Sequence, residues 1–215
     1  MTEGQAVEHT RAILATGRFV TIDFLGEDTL DRAQADDTVK HYLALLAELA
    51  TLPEAGGDAP RKLEVSLKLS ALGQFLPQEG HEIALANART ICEAADQAGV
   101  WVTIDAEDHT TTDSTLSIVR ELRADHPTLG TVLQAYLYRT EADCREFSGP
   151  GSRIRLCKGA YKEPPSVAHQ AKAEVDAAYL RCLRILMEGK GYPMIASHDP
   201  AIVSAALHAA SGPAA

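Results

Sequence analysis

Six polar residues recur at the ends of short apolar runs: Asp23, Lys68, Asp105, Gln134, Arg155 and His198. Two cations, two carboxylates, an amide and an imidazole are the kinds of group that hold a carboxylated substrate beside a planar, polar cofactor. Lys158-Gly159-Ala160 follows the fifth run, and glycine there lets a flat ligand approach the backbone closely. The segment Asp105, Glu107, Asp108 and His109 mixes hard and imidazole ligands, as a metal site does. Strand alternation works against that reading, because Asp105 and Glu107 share a parity while Asp108 and His109 fall on a loop. No metal is expected. His81, His169 and His208 fall in helical patterns, where surface positions account for them.

Elements that could position this set are legible. Phe19–Phe24, Leu63–Leu69, Val100–Ile104, Thr131–Leu137, Arg153–Cys157 and Pro193–Ser197 are short and apolar, as buried parallel strands are. Between them run helical stripes: Val39, Tyr42, Leu43, Leu46 and Leu49; Leu85, Ala88, Cys92 and Ala95; Val175, Tyr179, Cys182 and Leu186. Asp113 or Ser114 is the expected cap of the helix carrying Leu116 and Val119. Gly99, Gly130 and Gly189 fall where helices hand over to strands.

Repeated βα units imply an α/β fold with a parallel sheet and right-handed crossovers. The dinucleotide fingerprint GxGxxG is absent after the first strand, where Phe24-Leu25-Gly26-Glu27-Asp28 stands, which weakens an open doubly wound sheet. Polar residues of one parity favour a barrel. Ser66, Lys68 and Ser70 alternate with Val65, Leu67 and Leu69, and Thr103 and Asp105 with Val102 and Ile104. One face then meets helices while the other faces a polar interior that opens at the C-terminal strand ends. The expected fold is a (β/α)8 TIM-like barrel, incomplete here with about six of eight βα units, in a single partial domain over residues 1–215.

Composition sets limits on partners. The 215 residues include 30 acidic and 20 basic side chains, for a formal charge of −10. That balance argues against nucleic acid, since no basic stripe is present to displace counterions from phosphates. No apolar run is long enough to span a membrane, and no signal peptide is evident, so a cytoplasmic protein is expected. Cys92, Cys144, Cys157 and Cys182 are widely spaced and are expected as reduced core thiols.

Five motifs occur in order: Ser66-Leu67-Lys68-Leu69-Ser70-Ala71-Leu72, Ile104-Asp105-Ala106-Glu107, Leu133-Gln134-Ala135-Tyr136, Arg155-Leu156-Cys157-Lys158-Gly159-Ala160-Tyr161 and Ala196-Ser197-His198. From Phe19 to Ala210 the series resembles the proline dehydrogenase family, particularly its monofunctional bacterial members. The resemblance implies a barrel that binds FAD, oxidises L-proline to Δ1-pyrroline-5-carboxylate and passes electrons to a membrane quinone through contact that is at most peripheral, at the inner face. It implies that Lys68 pairs with the proline carboxylate and that Asp105 and Arg155 are catalytic. Ala106, Gln134, Arg155, Lys158, Gly159, Ala160, Ser197 and His198 would contact FAD. Ser197 stands where many relatives have threonine.

Relatives continue through two more strands to a helix with a pair of arginines that clamp the substrate carboxylate. The expectation is therefore a chain cut short, self-associating or marginally stable, with little activity alone. Two other readings stand beside it. One is a Schiff-base lyase or aldolase on a similar barrel, using Lys68 or Lys158. The other is a fragment or decayed paralogue that serves only in folding or assembly.

Overall fold

In the computed structural model, which describes residues 2–26, 29–56 and 60–211, helices and strands alternate along the chain. Glu27 and Asp28 of the first strand-end loop, and the tail from Gly212, lie outside the described residues. The chain divides into two compact units.

The first unit runs to Asp105 and resumes at Ser114–Leu129. It contains α1 (Glu3–Leu14), β1 (Val20–Asp23), α2 (Arg32–Leu49), β2 (Leu63–Leu67), α3 (Gly80–Ala98), β3 (Trp101–Ile104) and most of α4 (Thr112–Leu122). The strands are parallel, in the order β1–β2–β3, with Asp23, Ser66 and Thr103 in one row. Residues in one row of a parallel sheet share a face. Asp23, Ser66 and Thr103 therefore line one side, while Val65, Leu67 and Ile104, each fully buried, line the other. The parity read from the sequence holds in this unit.

Tyr42 of α2 fixes that helix to the strands. Its buried hydroxyl donates to the Ser66 carbonyl at 2.5 Å and accepts from the Phe24 N–H at 3.2 Å. The hydroxyl thus bridges backbone groups of β2 and of the residue just past β1. Tyr42→Phe removes both bonds at a buried site. It is expected to lower unfolding stability by about 1–3 kcal/mol in urea titration, with little change in the slope. Gly99 ends α3 at φ +67°, and a Cβ there would sit 2.3 Å from the Gly56 nitrogen, so glycine is required at that handover.

The second unit comprises Ala106–Asp113 and the residues from Gly130 onward. It contains β4 (Gly130–Gln134), α5 (Thr140–Phe147), β5 (Arg153–Cys157), α6 (Lys172–Glu188), β6 (Tyr192–Ile195) and α7 (Pro200–Ala210). These strands are parallel in the order β4–β5–β6, with Val132, Arg155 and Met194 in one row and Gln134 opposite Cys157. Buried Tyr179 of α6 repeats the device of Tyr42, donating to the Leu156 carbonyl at 2.8 Å.

Three expectations need correction. The fourth strand ends at Gln134 and not at Leu137. Tyr136 and Leu137 turn away instead: Leu137 forms an antiparallel bridge to Ala168 and packs with it and Val175. The cap near α4 is neither Asp113 nor Ser114. Asp108 caps a 3₁₀ turn, His109–Thr111, accepting the Thr110 N–H at 2.8 Å, and α4 follows directly. His169 lies in the loop before α6, where its N–H donates to the Tyr136 carbonyl at 2.8 Å. Among the described residues no helix is long and apolar enough to cross a membrane.

Candidate functional site

In the first unit the polar face of the sheet carries Lys68, two residues beyond Ser66. Its ammonium pairs with Asp23 of the neighbouring strand, and the side chain is 15% exposed. Asp105 continues the β3 ladder, its N–H donating to the Leu67 carbonyl at 2.8 Å, while its carboxylate accepts the Ser66 hydroxyl at 3.2 Å. Strand parity places these groups together. A cation in a mostly enclosed place at a strand end can take an incoming carboxylate.

In the second unit a cavity of about 440 Å³ lies at the C-terminal ends of β4, β5 and β6. Ala106, Gln134, Lys158, Gly159, Ala160, Ser197 and His198 all line it. Every cofactor contact expected from the sequence is there except Arg155, which sits lower on β5, half-buried on the same sheet face as Gln134. Cys157, Tyr161 and Asp199 also line the cavity and were not anticipated.

Gln134 is buried and donates from its amide to the Glu107 carbonyl at 3.1 Å, tying the end of β4 to the loop after β3. Lys158 projects into a charged cluster. Its ammonium lies 2.5 Å from Asp176 and 2.9 Å from Asp199, and Lys172 shares both carboxylates. Hydrogen bonds that Lys158 donates to Asp176 and then Asp199 push its ammonium above its ordinary range. Asp199 is held down to about 2, chiefly by Lys158. A depressed carboxylate supports the fold above its unfolded value and ceases to as pH falls through the folded one. The Asp199 pairing is thus intact at neutral pH and comes apart only as the pH drops from about 3.8 towards 2.

Gly159 adopts φ +117°, and a Cβ there would lie 2.4 Å from the Tyr136 ring. The Tyr136 N–H donates to the Lys158 carbonyl at 2.9 Å, so ring and loop approach each other closely. Ala106, Gly159, Ala160 and Ala196 give the cavity a wall with almost no side chains. The hydroxyl of Ser197 takes the Asp199 N–H at 3.1 Å, and His198 lines the same cavity. A flat wall ringed by amide, hydroxyl, imidazole and ammonium groups fits an aromatic ring system with polar edges, such as a flavin.

Cys157, half-buried at the rim, differs from the other thiols. Burial pushes the Cys92 thiol up to about 12, and contact with Cys182, then burial, pushes Cys144 up. Cys182 itself is fully buried. A chromogenic disulfide at pH 8 is therefore expected to find one fast thiol in the native protein, and Cys157→Ser to abolish it.

Fold and site together define an α/β protein of the TIM-like barrel type with a cavity walled by small residues at its C-terminal strand ends. The family model for proline dehydrogenase matches residues 6–214, and the chain belongs to that family. It is 36% identical over 206 residues to a proline dehydrogenase of Deinococcus radiodurans, covering 92% of this chain and 62% of that protein. It is 33% identical over 199 residues to proline dehydrogenase 1 of Bacillus subtilis, covering 93% and 63%. The chain thus spans less than two thirds of these relatives. Its fold is similar to that of proline utilization A from Bdellovibrio bacteriovorus inactivated by N-propargylglycine, with TM-score 0.82 and 25% identity, over 98% of this chain and 26% of that one.

Proposed function

We propose that this chain carries the flavin and proline sites of a single catalytic domain that oxidises L-proline to Δ1-pyrroline-5-carboxylate with FAD, electrons passing on to a quinone. The observation that carries this reading is the cavity at the ends of β4 to β6. Seven residues expected to touch FAD line it, in a chain of the proline dehydrogenase family.

In this reading Lys68, held by Asp23, binds the proline carboxylate. Asp105, oriented by Ser66, and Arg155 serve the reaction centre. Gln134, Ser197 and His198 meet the polar edges of the cofactor, while Ala106, Gly159 and Ala160 form the surface it lies on. Lys158, already paired with two carboxylates, keeps its proton and orients a polar group without adding a net charge. When bound, FAD supplies the two-electron oxidation of the C–N unit of proline.

The test is a visible spectrum and equilibrium dialysis of the purified chain with FAD, followed by proline-dependent dye reduction. Bound flavin bands and protection of Cys157 from the thiol reagent are expected. A chain that takes up no FAD overturns the reading. The Schiff-base alternative needs a lysine that is neutral near pH 7, and Lys158 is shifted the other way. Borohydride with a carbonyl substrate is expected to leave its mass unchanged. Quinone use is tested by co-sedimentation with quinone-loaded vesicles.

A further inference from the structure

Three strand-end segments of the second unit meet at one buried carboxylate. Glu163 lies in the loop after β5, and its side chain is 4% exposed. Oε1 accepts the backbone N–H of His109 at 2.9 Å and the Tyr136 phenol at 3.3 Å. Oε2 pairs with Nδ1 of His109. The carbonyl of Glu163 accepts the Gln170 amide at 3.2 Å, which anchors the outer side of the loop. Burial, and next the charge of Glu163, hold the Tyr136 phenol well above its ordinary range, so the phenol remains a donor.

Each partner lies just beyond a cavity-lining residue. His109 follows Ala106, Tyr136 follows Gln134, and Glu163 follows Lys158-Gly159-Ala160. Glu163 itself does not line the cavity. A buried carboxylate is costly unless its oxygens are met by donors, and here the donors come from the other two segments. The Tyr136 ring that Glu163 holds by its hydroxyl is the surface against which Gly159 packs.

We propose that Glu163 is the positioning residue of the cofactor cradle. Its carboxylate locks Tyr136 and His109 and so sets the pitch of the Lys158–Ala160 backbone against which a flat cofactor lies. The proposal rests on the FAD reading above and assigns a role to a residue that reading leaves unused. Glu163→Gln keeps size and one acceptor but turns a donor towards His109. Glu163→Asp keeps the charge with a shorter reach, and Tyr136→Phe removes the phenol alone.

The experiment measures FAD binding by dialysis, visible circular dichroism of the bound flavin, and amide exchange with and without FAD. Glu163→Gln is expected to weaken FAD binding about tenfold or more, as loss of a charged hydrogen bond implies, and to shift the flavin spectrum towards that of free FAD. Glu163→Asp should recover part of the affinity, and Tyr136→Phe should shift it in the same direction by less. Amides of the loop from Gly159 to Lys162 should exchange faster in Glu163→Gln even without FAD, while those of β2 stay as in the parent. Wild-type binding and spectrum in Glu163→Gln, or no recovery in Glu163→Asp, would overturn the proposal. If the parent chain binds no FAD, the proposed function fails. The exchange comparison without FAD then decides the positioning role, and unchanged loop exchange rejects it.

Discussion

In a version of the protein as long as its relatives, Arg155→Met is expected to lower proline-dependent dye reduction by about 10²–10³, the usual effect of removing one donor aimed at developing charge. FAD retention should weaken with it. The substitution suits the fold, because Arg155 lies in a row with Val132 and Met194, where an unbranched apolar side chain packs readily. What is lost is a permanent cation with five donors, on the strand that leads to the cavity rim at Cys157. A cation beside an electron-accepting ring stabilises the charge gained on reduction. The reduction potential should fall by about tens of millivolts, since 30 mV is about 1.4 kcal/mol for a two-electron couple. Titration against reference dyes measures this directly. Arg155→Lys retains charge without the planar fork, so the potential should largely recover while the rate does not. An unchanged potential and retention in Arg155→Met would mean that this guanidinium serves the sheet and not the cofactor.

The strands were legible because each is a short apolar run with one polar parity, and parallel pairing converts parity into faces. That is why Gln134 and Cys157, in one row across β4 and β5, line one cavity, while Lys158 and Ser197 enter it from the loops beyond their strands. The reading failed where an apolar run is buried by something other than strand pairing. Ala135 to Leu137 looks like more of β4, yet Leu137 is covered by Ala168 and Val175 of a later loop and helix. Asp108 escaped notice as a cap because it serves a 3₁₀ turn placed before the helical period begins. The links around Glu163 join residues 27 and 54 positions apart, and Lys158 reaches carboxylates 18 and 41 positions away. No local period carries such pairings, because they arise only when successive strand-end loops are brought side by side.

Gly159→Ala is expected to weaken FAD binding at least about tenfold, for a steric reason confined to this loop. At φ +117° an alanine is strained wherever it stands, and here its methyl would lie 2.4 Å from the Tyr136 ring. The ring has little freedom to retreat. Its own N–H is bonded to the Lys158 carbonyl, and its hydroxyl to Glu163. Relief must come either from the loop peptides, which changes the cavity wall, or from the ring, which breaks the link to Glu163. Strain of this kind costs about 1–3 kcal/mol, so a matching loss of stability is expected in urea titration. Gly149→Ala is the control in the same unit, because a Cβ there meets nothing within 4 Å. It should leave both stability and flavin binding at parent values. If Gly159→Ala binds FAD like the parent while stability falls as expected, the wall formed by this loop is not where the flavin lies. The cofactor would then have to rest against the Ser197–His198 side of the cavity.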